Sequence, residues 1–451
     1  MDLYMNAQRL KSLRQFSVRM PRGSTLMWLA CMTLLLAFGG AASAASLKLP
    51  LRFDFGPGKK VPGYIQVLPN MRYTPKRGYG FDLGFKVRGV DRSNSHGVRG
   101  HFVTSNKPFF FSIKLPPGNY NVTVTLGDLK ASSVTTIKAE QRRLMYARLA
   151  TKPGQFITRT FTVNTRVPQI STGGRVGLKP REVGSLEWDN KLTIELSNRR
   201  PCLCAMTITQ ARHPVTLFIA GDSTDTDQRF EPWCSWGQMI PAFFIPRRVV
   251  VANYAEDGES ANSFIGENRL KKVMSVIRPG DYLFIEFGHN DQHERGPNAG
   301  PKKEYRTSIL TMIHDARAHH AIPVLVTPMA RRLFRNGRLY NSLDGFPAEM
   351  RLIARQQHVK LIDLNAMSTQ LFNALGPKKS AVAFVDLTHN DDYGAYEVAK
   401  CVIQGIRDAH LGLVKFIRPN IKPFNPAHPD PVSQFHLPRD PQYSVVKPSG
   451  W

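Results

Sequence analysis

Five short apolar runs in the second half of the chain constrain its fold more than any other feature. The runs are Val215–Ala220, Val249–Asn253, Tyr282–Phe287, Pro323–Thr327 and Val359–Leu364. Apolar runs without polar alternation are typical of strands that are covered on both faces. Between two of the runs, a group of residues recurs at the spacing of one helix face: Tyr305, Ile309, Met312, Ile313 and Ala316. The pattern predicts an α/β domain, with a parallel sheet between two layers of helices.

The preceding part of the chain has a different pattern, which predicts an antiparallel β-sandwich. Tyr120, Val122, Val124 and Leu126 alternate with polar residues, as in a half-buried strand. Other strand-like runs are separated by turn residues: Leu51–Phe55, Phe109–Leu115, Phe156–Val163 and Lys191–Leu196. We therefore place the β-sandwich at residues 45–212 and the α/β domain at 213–417. The Pro-rich residues 418–451 are expected to lie extended on the surface.

Residues 1–44 have the order of a secretory signal. Basic residues precede the apolar run Leu26–Phe38, and the small residues Ala42 and Ala44 follow it. The run is short for a membrane span, so the segment predicts export to the periplasm or the medium, with no membrane contact after cleavage. An uncleaved anchor is the alternative. The cysteines beyond this segment allow either two disulfides or free thiols: Cys202, Cys204, Cys234 and Cys401.

The charge balance narrows the class of partner. The formal net charge is +27, and the chain remains strongly basic without residues 1–44. Such a field concentrates polyanions, which include nucleic acid, anionic lipid and acidic polysaccharide. Export disfavours nucleic acid, and the sequence has no zinc-finger spacing and no long Lys/Arg block. Anionic lipid and acidic polysaccharide both remain as predicted partners, and a basic surface that only aids solubility is the alternative. No oligomeric state is predicted.

Clusters of polar residues follow three of the predicted strands and precede the last helix. They are Gly-Asp-Ser-Thr at 221–224, Asp-Gly-Glu-Ser at 257–260, Gly-His-Asn-Asp at 288–291 and Asp-Leu-Thr-His at 386–389. Because the carboxyl ends of parallel strands share one edge of a sheet, the first three clusters are expected to converge. Each cluster taken singly is equally typical of a polar turn or a helix cap. All four in this order predict a functional site.

The residue types in these clusters fit acyl transfer. Ser223 would attack a carbonyl carbon, His389 would carry the proton, and Asp386 would hold the imidazole in the required tautomer. The oxyanion would be stabilised by the backbone N–H groups of Ser223 and Gly258 and by the Asn290 side-chain amide. Glycine suits this role because a backbone N–H approaches a ligand most closely where there is no side chain. No Cys/His spacing predicts a metal, and no other cofactor is expected.

The four clusters resemble the blocks of SGNH (GDSL-type) esterases, named for a Ser, a Gly, an Asn and a His. Here these residues are Ser223, Gly258, Asn290 and His389. Further stretches are similar to bacterial rhamnogalacturonan acetylesterases: 53–56, 78–82, 236–239, 253, 258–260, 279–281, 287–291 and 388–389. The first two look like the galactose-binding-like β domain that those enzymes often carry. The resemblance implies a flavodoxin-like three-layer α/β/α domain, no metal, and removal of acetyl groups from rhamnogalacturonan, the pectin backbone.

An anionic substrate makes basic side chains near the catalytic edge candidate contacts. Arg229, Arg331 and Arg332 follow strands of that edge, and guanidinium groups bind carboxylates in a two-pronged geometry. Ordinary surface charges are the alternative. Glu259 stands where many members of the resembling family carry Arg.

Two acidic residues, Asp225 and Asp227, are expected to place negative charge just past Ser223, which does not suit a polyanionic substrate. For the whole chain, two alternatives remain. One is an acetylesterase for xylan or another glycan, and the other is a non-catalytic carbohydrate-binding protein.

Overall fold

The computed structural model describes residues 47–92, 94–442 and 444–447, so the predicted signal at residues 1–44 lies outside the described part. The N-terminal half is built from β-strands: β1 (Leu51–Phe55), β2 (Ile65–Val67), β3 (Tyr79–Gly84), β4 (Arg88–Asp91), β5 (His101–Thr104), β6 (Phe109–Lys114), β7 (Gly118–Gly127), β8 (Ser133–Ala139), β9 (Arg143–Thr151), β10 (Phe156–Thr165), β11 (Lys191–Ser197) and β12 (Cys202–Gln210). The predicted strands differ from these by at most two residues at either end.

These strands form two sheets that pack face to face, which confirms the predicted sandwich. One sheet has the order β10-β7-β12-β1-β2, with β5 and β4 at its side, and the other has the order β3-β6-β11-β8-β9. Neighbouring strands are antiparallel except for β1 and β2. Phe53 and Phe55 from one sheet meet Phe111 from the other, with ring centroids 5.2 and 4.9 Å apart. Edge-to-face aromatic pairs of this kind therefore fill the space between the sheets.

The C-terminal half alternates strands and helices. Its elements are β13 (Val215–Ala220), α1 (Trp236–Met239), β14 (Val249–Asn253), α2 (Ala261–Gly266), α3 (Arg269–Met274), β15 (Tyr282–Ile285), α4 (Glu304–Ala318), β16 (Ile322–Val326), β17 (Phe334–Arg335), β18 (Arg338–Leu339), α5 (Phe346–Gln356), β19 (Lys360–Ile362), α6 (Leu364–Lys379) and α7 (Asp392–Asp408). The central sheet is parallel, in the order β14-β13-β15-β16-β19. This is a flavodoxin-like order, as predicted.

Alternate residues of the central strands face opposite layers of helices. Leu217 and Ile219 pack with α1, α6 and α7, whereas Phe218 and Ala220 pack with α2 to α5. The strand β13 is apolar at successive positions because both of its faces are buried. The predicted three-layer α/β/α architecture is confirmed, and the carboxyl ends of β14, β13 and β15 lie side by side.

After the last helix, the chain runs over the α/β domain in extended form, with a 3-10 turn at Val432–Gln434. The tail is attached by hydrogen bonds from the Tyr393 hydroxyl to Asp430 O (2.7 Å) and from Trp233 Nε1 to Ser444 O (2.9 Å). All four cysteines in the described part are buried free thiols, so the structure has free thiols and not the two disulfides that the sequence also allowed. Within the described ranges, no helix is long and apolar enough to cross a bilayer.

Candidate active site

Ser223 lies in a tight turn directly after β13. The Thr226 N–H donates a hydrogen bond to Asp222 O (3.1 Å), which closes the turn. Asp222 Oδ1 accepts hydrogen bonds from the Thr224 N–H (2.9 Å) and the Thr224 hydroxyl (2.8 Å). A side chain at Gly221 would overlap the Asp225 carboxyl group. Glycine is therefore required at the end of the strand, and the turn holds Ser223 at the carboxyl edge of the sheet.

The structure brings Ser223, His389 and Asp386 into one chain of contacts. His389 Nε2 lies 2.9 Å from Ser223 Oγ, and His389 Nδ1 lies 2.9 Å from Asp386 Oδ2. Asp386 Oδ1 also accepts hydrogen bonds from the N–H groups of Thr388 and His389, both at 2.7 Å. Burial raises the pKa of Asp386, but these hydrogen bonds and the charge of His389 outweigh it and hold the pKa below its usual range. An ionised carboxylate at Nδ1 favours the tautomer in which Nε2 accepts a proton.

One aromatic side chain, Trp233, and one amide side chain, Gln228, lie beside the residues of the candidate site. The sequence analysis did not single out either. The Trp233 ring meets the His389 ring edge-on, with centroids 5.7 Å apart. Gln228 Nε2 donates to Ser223 O (3.1 Å) and to Asp257 Oδ1 (2.6 Å), so it joins the first two loops of the site. Neither residue belongs to a sequence motif that indicates a function. Only their contacts in the structure show that they adjoin the site.

The three predicted oxyanion donors lie on the loops after β13, β14 and β15. Across the described chain, the backbone N–H groups of Ser223 and Gly258 donate no hydrogen bond. Gly258 has φ of 74°, a left-handed conformation that suits glycine. Asn290 Nδ2 donates one hydrogen to Glu259 O (2.8 Å), which orients the amide and leaves its second hydrogen for another acceptor. These two N–H groups and the second amide hydrogen of Asn290 are thus available to hydrogen-bond an oxyanion, as the predicted role requires.

The expectation that Asp225 and Asp227 present negative charge to the substrate is wrong. Asp225 is fully buried, and burial followed by repulsion from Glu286 raises its pKa well above the usual value. Asp227 is buried in an ion pair with Arg143 and accepts a hydrogen bond from Asn253 Nδ2 (2.9 Å). Asp225 is thus enclosed in the protein, whereas Asp227 borders the cavity next to the site with its charge paired by Arg143.

Glu259 is likewise engaged by partners inside the protein. It is buried, and it pairs with Lys179 and with Arg269, whose Nε lies 3.3 Å from Glu259 Oε1. The Ser263 hydroxyl donates to Glu259 Oε2 (2.5 Å) at the start of α2. The acid in place of the family's usual Arg therefore belongs to an internal charge cluster beside the Gly258 loop.

The buried acids predict a pH dependence of stability. Burial raises the pKa of Glu286 from 4.5 to about 8, and the pKa of Asp225 is raised well above 3.8. The folded state therefore binds more protons than the unfolded state, so the free energy of unfolding should fall as the pH rises from 4.5 towards about 8. We expect Asp225→Asn to lose less stability over this range, by about 1 kcal/mol per pH unit. Urea denaturation at a series of pH values measures this slope, and equal slopes in both proteins would contradict it.

The three candidate arginines occupy different environments. Arg331 is buried and donates to Gln292 Oε1 (2.6 Å) and His289 O (3.3 Å). Arg332 donates to Pro377 O (3.1 Å) and, through Nε, to Ser380 Oγ (3.3 Å). Both side chains are thus engaged by acceptors within the protein.

Arg229, by contrast, lines a cavity of about 360 Å³ that adjoins the site. Its guanidinium lies over the Phe230 ring at 5.1 Å, and its Nη1 donates to Arg181 O (3.2 Å). The same cavity is lined by Trp233, next to His389, and by Lys447, whose Nζ lies 3.2 Å from Asp386 Oδ2. Of the three arginines, Arg229 is therefore the one placed to meet a ligand beside Ser223.

A turn of the β-sandwich reaches into the wall of the active site. The turn between β8 and β9, together with the first residue of β9 (residues 140–143), buries two arginines in the α/β domain. Arg142 Nη1 donates to Trp233 O (2.7 Å), and its Nη2 pairs with Glu231 (2.9 Å) and Asp392 (3.2 Å). The second arginine forms the ion pair with Asp227. The β domain thus holds the loop that carries Trp233 against His389, a role that the sequence analysis missed.

Two protein-family models match the chain. Residues 51–152 match the galactose-binding domain-like family of β-agarase/YXIM esterase-like proteins. Residues 219–394 match the GDSL-like lipase/acylhydrolase family, and this range contains Ser223, Gly258, Asn290, Asp386 and His389. The two matches fall on the β-sandwich and on the α/β domain respectively.

The chain is also similar to individual proteins. Rhamnogalacturonan acetylesterase RhgT of Bacillus subtilis (strain 168) is 40% identical over 223 residues, which are 45% of this chain and 94% of the relative. A protein of the same organism described as the uncharacterized esterase YxiM is 28% identical over 398 residues, 84% of this chain and 97% of the relative. The crystal structure of YxiM aligns with a TM-score of 0.43 at 25% identity, covering 80% of this chain and 99% of that one. The chain belongs to the GDSL-like lipase/acylhydrolase family and is a carboxylic ester hydrolase that carries a galactose-binding-like β domain.

Proposed function

We propose that this hydrolase is a serine esterase that removes acetyl groups from acetylated rhamnogalacturonan. The observation that carries the proposal is the chain of contacts from Asp386 through His389 to Ser223, with 2.9 Å at each step. A hydroxyl, an imidazole and a carboxylate in this order are the parts of a nucleophilic triad. The intact set argues against a purely carbohydrate-binding role.

In the proposed reaction, Ser223 Oγ attacks the acetyl carbonyl carbon while His389 Nε2 takes its proton. The imidazolium then returns the proton to the sugar oxygen as the alcohol leaves, and an acetyl-serine remains. Water, deprotonated by the same imidazole, releases acetate and restores Ser223. Throughout both steps Asp386 stabilises the imidazolium and keeps Nε2 directed at the hydroxyl.

The same proposal assigns the oxyanion to the N–H groups of Ser223 and Gly258 and to the Asn290 amide. Support comes from the two backbone N–H groups that donate no hydrogen bond within the described residues and from the fixed orientation of the amide. Donors that are oriented before the reaction stabilise the tetrahedral intermediate without reorganisation, and losing one typically raises the barrier by about 3 kcal/mol.

The acidic polymer is supported by two further observations. The chain has a net charge of +27, and Arg229 lines the cavity beside the triad. In addition, the relative at 40% identity is named a rhamnogalacturonan acetylesterase. A uronate carboxyl group near the acetylated sugar would form a charge-assisted hydrogen bond with Arg229.

Acetate release from polymers tests the substrate. Wild type and Ser223→Ala should be incubated with acetylated rhamnogalacturonan and with acetylated xylan, and the free acetate measured. We expect the wild type to act faster on rhamnogalacturonan and the variant to release no acetate above the blank. A wild type that prefers xylan would favour the alternative glycan, and equal release by both proteins would contradict the serine mechanism.

Arg229→Met should separate binding of the acidic polymer from chemistry. We expect KM for acetylated rhamnogalacturonan to rise about 10-fold, since a hydrogen bond to a charged group contributes roughly 1.5–3 kcal/mol. Steady-state kinetics on p-nitrophenyl acetate, which carries no carboxylate, should remain unchanged. Arg332→Met is the matched control, because that side chain donates to Pro377 O and Ser380 Oγ. An equal change on both substrates would remove Arg229 from substrate recognition.

We also propose that residues 1–44 direct export, on the strength of their basic, apolar and small-residue order. N-terminal sequencing of the mature protein tests this. A first residue at or near position 45 is expected, and an intact N-terminus in the exported fraction would contradict cleavage.

A further inference from the structure

A second cavity, of about 510 Å³, lies between the β-sandwich and the α/β domain. It is lined by Asn164 at the end of β10, by Thr216 at the amino end of β13 and by Arg278 just before β15. Ser223 follows the carboxyl end of β13, so the cavity lies away from the edge that carries the triad. Its volume is in the range of pockets that hold small molecules.

The cavity is lined by cations without a carboxylate among its described lining residues. The cations are Arg166, Lys272 and Arg278. Lys272 is 5% exposed, and its Nζ donates to Gln169 O (2.6 Å), a neutral acceptor. Burial, followed by the like charge of Arg166, lowers the pKa of Lys272. An anion in the cavity would relieve both the desolvation and the repulsion of these two groups.

Buried polar atoms in the lining lack partners. Arg166 is 2% exposed, its guanidinium lies 4.6 Å from the Trp188 ring and 4.8 Å from the Tyr254 ring, and none of its three nitrogens forms a hydrogen bond with a described residue. Glu187 Oε1 lies 3.3 Å from Arg166 Nη2 in a buried ion pair, and the other two guanidinium nitrogens of Arg166 have no hydrogen-bond partner among the described residues. Buried donors without acceptors are rare, and each indicates a missing partner.

The lining also contains a buried hydrogen-bond acceptor without a partner, Asn164 Oδ1. Asn164 is 9% exposed, its Nδ2 donates to Asn119 Oδ1 (2.7 Å), and its Oδ1 accepts no hydrogen bond from any described residue. The lining therefore offers Arg166 nitrogens that make no hydrogen bond with a described residue, an unpaired carbonyl acceptor on Asn164 and the 41% exposed apolar side chain of Val276. A ligand that satisfies all three needs a carboxylate, a hydroxyl donor and an apolar ring face.

We propose that this cavity binds a uronic acid sugar at a non-catalytic site. Its carboxylate pairs with Arg166 and Lys272, one hydroxyl donates to Asn164 Oδ1, and the apolar face of the sugar ring packs against Val276. The site shares no residue with the proposed triad, so it does not depend on the reaction at Ser223. The lining comes from both domains, so a bound sugar stabilises the contact between the β-sandwich and the α/β domain. It also anchors an acidic polysaccharide away from the point of hydrolysis.

Calorimetry with D-galacturonate as the probe tests the site on the full chain. Lys272→Met is expected to weaken galacturonate binding at least 10-fold, because it removes the cation and keeps the apolar stem. Lys271→Met is the matched control, since Lys271 is exposed on the same helix and should leave the dissociation constant unchanged. Thermal melts without ligand show that each variant folds. Arg278→Met, at a side chain 44% exposed, is a second variant with an expected several-fold loss.

Three further binding measurements test the chemical class of the ligand and the location of its site. D-galactose and inorganic phosphate should each bind at least 10-fold more weakly than galacturonate, because one lacks the anion and the other lacks the ring. Arg229→Met weakens any galacturonate bound beside the triad, and it should leave in place the binding component that Lys272→Met weakens. The proposal is overturned if Lys272→Met binds like wild type, if phosphate binds as well as galacturonate, or if Arg229→Met abolishes binding. The last result would assign the sugar to the catalytic cavity and leave the proposed function standing.

Discussion

Ser223→Ala is expected to lower kcat for p-nitrophenyl acetate by about 10⁴-fold or more, with the free energy of unfolding close to that of wild type. In the proposed mechanism the hydroxyl forms the covalent bond, so its loss removes the whole nucleophilic route and leaves only binding and oxyanion stabilisation. Because the triad acts as a unit, Ser223→Ala combined with His389→Ala should be no slower than Ser223→Ala alone. Stopped-flow or steady-state kinetics at saturating substrate measures both effects.

Ser260→Ala provides the matched control for that experiment. Ser260 lies two residues after Gly258, and its side chain caps α2 by accepting a hydrogen bond from the Ser263 N–H (3.1 Å). Its replacement should cost about 1 kcal/mol of stability and change kcat by no more than a few-fold. A large loss of activity with Ser260→Ala, or substantial activity in Ser223→Ala, would contradict the assignment of the nucleophile.

Arg142→Met is expected to destabilise the protein by about 3–5 kcal/mol and to reduce kcat in the fraction that stays folded. The change removes a buried guanidinium and leaves the carboxylates of Glu231 and Asp392 without their main counter-charge, which is the costly way to break a buried ion pair. It also removes the hydrogen bond to Trp233 O, so the ring against His389 loses its anchor. Urea denaturation and kinetics on a small ester measure the two effects.

The control for this prediction is Arg148→Met, which changes an exposed arginine of β9, the strand that follows Arg142. It should unfold at the urea concentration of wild type. Adding Glu231→Gln to Arg142→Met should recover part of the lost stability, because the unpaired charge is then removed as well. If Arg142→Met unfolds like wild type, the turn at residues 140–143 does not support the active site.

The strands, and the meeting of Ser223, Asp386 and His389, could be predicted from the sequence because their signals are local or topological. Strands β13 and β14 are uniformly apolar, and the parallel order predicted that the loops after them share an edge. The positions of Ser223 and His389 follow from that shared edge together with the helix after His389. Neither inference required knowledge of long-range side-chain contacts.

The surroundings of the triad were not accessible in the same way. Asp225 looked like a solvent-exposed charge, yet its burial is set by the packing around Glu286, which the local sequence does not encode. Arg142 is one of many arginines in a basic chain, and only its contacts with Glu231 and Asp392 distinguish it. Arg331 was predicted to face a ligand, but acceptors on the loop after β15 engage its donors. Burial of a charged side chain depends on partners far along the chain.

The most direct test of the proposed mechanism is labelling with a fluorophosphonate, which reacts with an activated serine hydroxyl. Peptide mapping of the labelled protein by mass spectrometry should find one adduct, on the peptide that contains Ser223, and none in Ser223→Ala. The labelling seen in wild type should also be lost in His389→Ala, because no base remains to take the proton from the Ser223 hydroxyl as its oxygen attacks phosphorus and displaces the fluoride. Absence of an adduct in folded wild type, or an adduct that persists in Ser223→Ala, would contradict the assignment of Ser223 as the nucleophile.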